Sequence, residues 1–131
     1  MMVLVDTSVW IDFFAAKPFR HIEILESLIG QRNDICICDI ILAEVLQGIG
    51  DDKDYDKTKD LFANLICLPM SYTIFIRSAE IYRSLRRQGI ILRKSIDCMI
   101  ASVAIENDLP ILHNDKDFHP IEKHCGLRSI K

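Results

Sequence analysis

An α/β sandwich around a mostly parallel sheet is the fold class that the 131-residue sequence predicts. Two observations carry it. Short apolar runs at VLV (3–5), DICIC (34–38), ICL (66–68), PIL (110–112) and LRSI (127–130) read as strands, mostly too continuous for half-exposed antiparallel ribbons. Helical patterns fill the gaps between them, and strands alternating with helices argue for parallel pairing.

Each element has a local reason. The run MMVLV stops at Asp6, which can cap a helix over SVWIDFF. Residues 20–29 place Ile22, Leu25, Leu28 and Ile29 on one face before Gly30. Asp39 can cap a helix through Leu46 that ends near Gly48. A further helix fits 54–65, and another spans about 72–88, with Ile76, Ala79, Tyr82 and Leu85 or Arg86 at three- and four-residue steps and Gly89 closing it. Ser95 can cap a helix through about residue 107.

Length and composition fit one domain over 1–131, large enough to bury a core without disulfides or a structural zinc. Half the residues are hydrophobic and 27% charged, far from a disordered composition. The N-terminal run has no basic region before it and no small-residue cleavage site after it, so neither a signal peptide nor a membrane span is expected, and a cytoplasmic location is. Five cysteines without a CxxC suggest reduced core thiols; Cys36 and Cys38, two apart on a strand, share one face and read as core rather than metal ligands. The net charge of −3 hides an asymmetry. Residues 1–65 carry 12 acids and 6 bases, whereas residues 66–131 carry 7 acids and 10 bases. Overall charge therefore does not exclude a nucleic-acid partner, and the local field decides.

The acids are in unusual places. Asp6 ends an apolar run, Glu44 interrupts IILAEVL, Asp97 interrupts SIDCMIASVA, and Asp115 and Asp117 follow PILHN. In open α/β sheets ligands bind outside the carboxyl ends of the strands, where Asp6 and Asp115 fall; Glu44 and Asp97 lie near the starts of helices that pack beside that rim. Converging carboxylates repel by roughly 4 kcal/mol per close pair at an effective dielectric near 20, and a divalent cation resolves the conflict. Oxygen-only ligation selects Mg2+ or Mn2+, ions that commonly serve attack by water on a phosphodiester.

Each acid also has a plain structural reading. Asp6 could be only an N-cap, Asp97 only a dipole partner two residues after Ser95, and NDKD only a turn. Ser8 could serve a site carboxylate or the first turn of its helix. His21, His113, His119 and His124 lack HxH or HExxH spacing and read as structural or exposed. Trp10, Phe13 and Phe14 read as core or interface. Arg77, Arg83, Arg86, Arg87, Arg93 and Lys94 face one acid, Glu80, between residues 77 and 94, as either a solvated helix face or a phosphate-binding rim.

Taken together, VLVDTSVWIDFF, ILAEVLQG, SIDCMIASVA and PILHNDKDF resemble the four acidic signatures of the PIN-domain ribonucleases, in particular the VapC-type toxins of toxin–antitoxin pairs, over positions 3 to 118. The resemblance implies a three-layer fold with a five-stranded sheet ordered 3-2-1-4-5. It implies an endoribonuclease that holds Mg2+ or Mn2+ with Asp6, Glu44, Asp97 and Asp115, aided by Asp117, and leaves a 5′-phosphate and a 3′-hydroxyl. Asp6 is the expected direct ligand; Glu44 reaches the metal through water or acts as general base. Ser8 corresponds to the hydroxyl residue of the first motif, and Arg86, Arg87 and Arg93 are candidate RNA contacts. Many relatives carry Thr or Ser shortly before the last acid, where this chain has His113 and Asn114. The family further implies a transfer or ribosomal RNA target, a homodimer and a small cognate antitoxin, with no membrane. The competing readings are an inactive PIN-fold binding module, another metal-dependent phosphoesterase, and a receiver-like signalling domain. The last requires an acceptor Asp after the third strand, where Pro69-Met70-Ser71 stands.

Overall fold

A computed structural model describes residues 1–130. Four parallel strands form its sheet: β1 (Met2–Val5), β2 (Asp34–Cys38), β3 (Ile66–Leu68) and β4 (Ile111–Leu112), in the order β3-β2-β1-β4. Register runs from Met2 opposite Asp34 through Leu4 opposite Cys36, from Cys36 opposite Ile66, and from Val5 opposite Leu112. The expected fifth strand is a correction. LRSI forms only an isolated parallel bridge, Ser129 to Ile111, although it occupies the place beside β4 that a fifth strand would take. Two backbone bonds hold it, Ile111 N–H to Arg128 O and Ile130 N–H to Ile111 O. With β4 itself two residues long, there is no longer ladder for this segment to extend.

Helices α1 (Thr7–Phe14), α2 (Arg20–Gly30), α3 (Asp39–Gln47) and α4 (Asp52–Phe62) pack as one group, through α1 on α2 and α3 and through α3 on α4. Helices α5 (Tyr72–Arg87), α6 (Ile96–Glu106) and α7 (His119–Cys125) form a second, α5 touching both others. Within it, the buried Ser102 hydroxyl donates to Ile74 O at 2.7 Å, tying α6 to α5. The core is continuous, running from Val3, Leu4 and Val5 through Ile37 and Ile41 to Ile100, Ile111 and Phe118. Each such aliphatic side chain contributes about 1.5–3 kcal/mol by leaving water.

Several boundaries differ from the sequence expectation. Asp51, not a later residue, caps α4 by accepting from Asp54 N–H, so that helix starts earlier and ends at Phe62. Asp39 is the first residue of α3 rather than its cap; its carboxylate accepts from Met70 N–H at 3.2 Å, across the sheet edge. Ser95 precedes α6 but makes no side-chain cap bond. Gly89, with φ +79°, closes α5 as expected. Cys36, Cys38 and Cys98 are buried free thiols, whereas Cys67 is exposed on β3, an edge strand.

A candidate carboxylate metal centre

The site is built where β1 and β4 end side by side. Asp6 N–H donates to Leu112 O at 3.0 Å, which sets Asp6 against the exit of β4. The Asp6 side chain caps α1: Oδ2 accepts from Ser8 N–H at 3.0 Å and from the Ser8 hydroxyl at 2.6 Å. That hydroxyl in turn accepts from Asn114 N–H at 2.9 Å, so Ser8 joins the first acid to the loop after β4. The cap reading of Asp6 holds, and the capping carboxylate is the one that the sequence places at the site.

Beyond Asn114 the chain turns through Asp115 into a 3-10 turn (Lys116–Phe118), with Asp115 Oδ1 accepting from Asp117 N–H at 2.9 Å. This turn brings two acids together, and α6 supplies the third from its first turn. Asp97, Asp115 and Asp117 offer oxygens that all lie within 4.8 Å of one another. Asp6, the expected direct ligand, is not in that close group, and its Oδ2 accepts from the Ser8 N–H and hydroxyl. Its charge still reaches Asp97. Glu44 stands one step further out, half-buried, with Oε1 accepting from the Thr7 hydroxyl at 2.8 Å.

The electrostatics follow from burial and crowding. Asp6 and Asp97 are 4% and 3% exposed, almost without solvent. Burial pushes the Asp97 carboxyl up to about 7, with Lys94 opposing and Asp115, Asp6 and Asp117 adding to the rise. Asp6 is raised by burial, against the hydrogen bonds from Ser8. At Asp115 burial also works upward, but the Asp117 N–H and Lys94 outweigh it and hold that carboxyl below the usual range. Asp97 Oδ2 is buried and accepts no hydrogen bond. Such an acceptor costs roughly 1–3 kcal/mol when nothing meets it, and here the Lys94 ammonium at 3.8 Å offsets part of that cost without a hydrogen bond.

Lys94, one of the six bases between residues 77 and 94, meets two of the acids. Its Nζ lies 3.1 Å from Asp115 Oδ2 and 3.8 Å from Asp97 Oδ2. Arg93 approaches Asp117 at 3.4 Å. Arg86 and Arg87 are exposed in the last turn of α5, and among the described residues no ion pair joins either to the acids; Arg86 lies over the Tyr82 ring at 5.9 Å. The histidines are partly engaged. His21 meets Asp12 at 2.7 Å, and Asp12 also accepts from the Asn114 side chain at 3.3 Å, bracing the same loop.

A hard divalent cation fits this donor set. Three carboxylates converge, all the ligand atoms are oxygen, and the buried Asp97 Oδ2, 3.8 Å from Lys94 Nζ, accepts no hydrogen bond among the described residues.

A parallel α/β sheet with buried acids at the strand ends defines a class of α/β proteins with a carboxylate site at the carboxyl rim of the sheet. The chain belongs to the PIN-domain family, whose pattern it matches over residues 3–123. It is similar to the VapC ribonuclease Mb1587 of Mycobacterium bovis, with 34% identity over 98% of this chain and 97% of that one. Among solved structures it resembles VapBC2 from Rickettsia felis bound to a promoter DNA fragment, with TM-score 0.79, 22% identity and coverage of 99% and 98% of the two chains. It also resembles VapBC-5 of Mycobacterium tuberculosis, described as a member of the VapBC family of toxin-antitoxin systems, with TM-score 0.73, 22% identity and the same coverage.

Proposed function

We propose that this chain is a Mg2+- or Mn2+-dependent endoribonuclease acting as the toxin of a toxin–antitoxin pair, its 131 residues working as one PIN domain. The observation that carries the metal reading is the convergence of the Asp97, Asp115 and Asp117 carboxylates within 4.8 Å, with the buried Asp97 Oδ2 accepting no hydrogen bond among the described residues. The near full-length likeness to a VapC ribonuclease carries the RNA reading. Resemblance to VapBC complexes supports a small antitoxin partner, and we extend the proposal to a homodimer and to a transfer or ribosomal RNA substrate. No helix is long and apolar enough to cross a membrane among the described residues.

Asp97, Asp115 and Asp117 would hold the cation, with Asp6 beside them; when bound it supplies an acidified water and neutralises charge on the scissile phosphate. The remaining work belongs to the chain. Asp6, held by Ser8, keeps the ends of β1 and β4 in register with the acids. Glu44, fixed through one oxygen by Thr7, has its second oxygen to take a proton from an attacking water. Lys94 and Arg93 set positive charge at the mouth of an acidic site that would otherwise repel a phosphate chain.

Incubating the protein with end-labelled RNA in Mg2+, Mn2+, Ca2+ or EDTA tests this. Cleavage is expected in Mg2+ and Mn2+, with 5′-phosphate and 3′-hydroxyl ends. Ca2+ should bind but support little turnover, its looser shell orienting water less well. Asp6→Asn should fold yet not cleave. Undiminished cleavage in EDTA contradicts the proposal.

A further inference from the structure

His113 stands between β4 and the acid-bearing turn, with a side chain only 7% exposed. Its Nδ1 accepts a hydrogen bond from Asp115 N–H at 3.1 Å. A backbone N–H can only donate, so Nδ1 carries its lone pair and the ring proton sits on Nε2. On the other side Nε2 meets Glu122 Oε1 at 2.5 Å, where a carboxylate requires the same tautomer. The same Glu122 oxygen accepts the Ser129 hydroxyl at 2.7 Å. A chain of bonds therefore runs from the C-terminal segment, through α7 and the imidazole, to the peptide of Asp115. The last link, from a side chain to the N–H two residues on, is the bond an Asn or Ser side chain makes when it stabilises a turn.

We infer that His113 is a positioning residue: held in its Nε2–H tautomer by Glu122, it fixes the Asp115 peptide and so aims Asp115 and Asp117 at Asp97. The inference rests on the metal-site reading above. A separate metal site at His113, His119 and Glu122, whose ligand atoms also lie within 4.8 Å of one another, is the weaker reading. A cation needs a ring lone pair, and the one His113 has is already taken by Asp115 N–H.

Four variants test the assignment: His113→Ala, His113→Asn, Glu122→Ala and Glu122→Gln. The readouts are Mn2+ affinity by calorimetry without RNA, melting temperature, exchange of the Asp115 amide, and nitrogen-15 NMR of the ring. The wild-type ring should show protonated Nε2 and bare Nδ1. His113→Ala should weaken Mn2+ binding about 10-fold or more, the usual range for a group that orients a ligand, and should speed exchange at Asp115. His113→Asn, whose Oδ1 can accept from the same N–H, should recover most of both losses. Glu122→Ala should release the tautomer and weaken Mn2+ binding, and Glu122→Gln should restore both. A bare Nε2 in the wild type overturns the inference. So does wild-type Mn2+ affinity in His113→Ala, or an Asn variant as impaired and as unstable as the Ala variant, which marks His113 as packing. A wild type that binds no Mn2+ contradicts the metal reading instead; ring tautomer and Asp115 exchange then still decide the role of His113.

Discussion

Asp97 concentrates the conflict of the site in one side chain. Its folded carboxyl titrates at about 7, well above the 3.8 of an unperturbed Asp, so the metal-free folded protein holds that proton more tightly than the unfolded chain does. The sign follows: the stability this group contributes is full below about 4 and is lost as pH rises through about 7. Asp97→Asn mimics the protonated form. In EDTA it should melt at a higher temperature than wild type at pH 8, with the gap closing by pH 4, and Mn2+ should no longer raise its melting temperature. Thermal melts across that range check it, and a gap that widens toward acid would refute the assignment. The acids themselves were legible in the sequence because Asp6, Glu44 and Asp97 break apolar runs. What holds them was not. Lys94 meets Asp115 over 21 positions, and Asn114 meets Ser8 over 106, so neither bond leaves a local signature. His113, passed over for want of metal-ligand spacing, turns out to bond the peptide of its second neighbour.

At the scale of elements, α4 hangs on one aromatic side chain. Its eleven residues DKDYDKTKDLF bury only Thr58 and Phe62, and Phe62 meets Trp10 with ring centroids 4.9 Å apart. Trp10 is itself anchored by its indole N–H to Val5 O at 3.1 Å. Phe62→Ala should therefore cost about 3–5 kcal/mol in denaturant unfolding and open the segment 51–64 to protease. Loss of less than about 1 kcal/mol would show that α4 is held elsewhere. The sequence marked α2 and α5 well because their apolar faces repeat at helical steps and a stop follows. It missed α7, which has seven residues, a proline in its first turn and a single fully buried residue, too little for a period to show. It also read LRSI as a strand; an apolar run gives strand propensity, but pairing length depends on a two-residue neighbour.

For the whole molecule, charge is divided between an acidic first half and a basic second half, and the site lies where they meet: Asp6 and Glu44 come from the first, Asp97, Asp115, Lys94 and Arg93 from the second. Lys94 and Arg93 offset the charge of the acids at the mouth of the site, and Arg86 and Arg87, exposed at the end of α5, add cations for an approaching phosphate chain. Replacing both by Ala should reduce the slope of log affinity for RNA against log salt by about one to two units and leave Mn2+ affinity unchanged. Normal RNA binding with weakened antitoxin binding would assign the pair to a protein interface.

We propose that Asp97, Asp115 and Asp117, with Asp6 beside them, form one hard-metal centre that cleaves RNA. The initial rate of RNA cleavage across a Mg2+ titration, for wild type and Asp97→Asn side by side, tests it most directly. Wild type should be inert without the ion and saturate with it, and Asp97→Asn, still melting cooperatively, should be slower by on the order of 100-fold or more at every concentration. Equal rates for the two proteins, or a wild-type rate indifferent to Mg2+, would rule out such a centre.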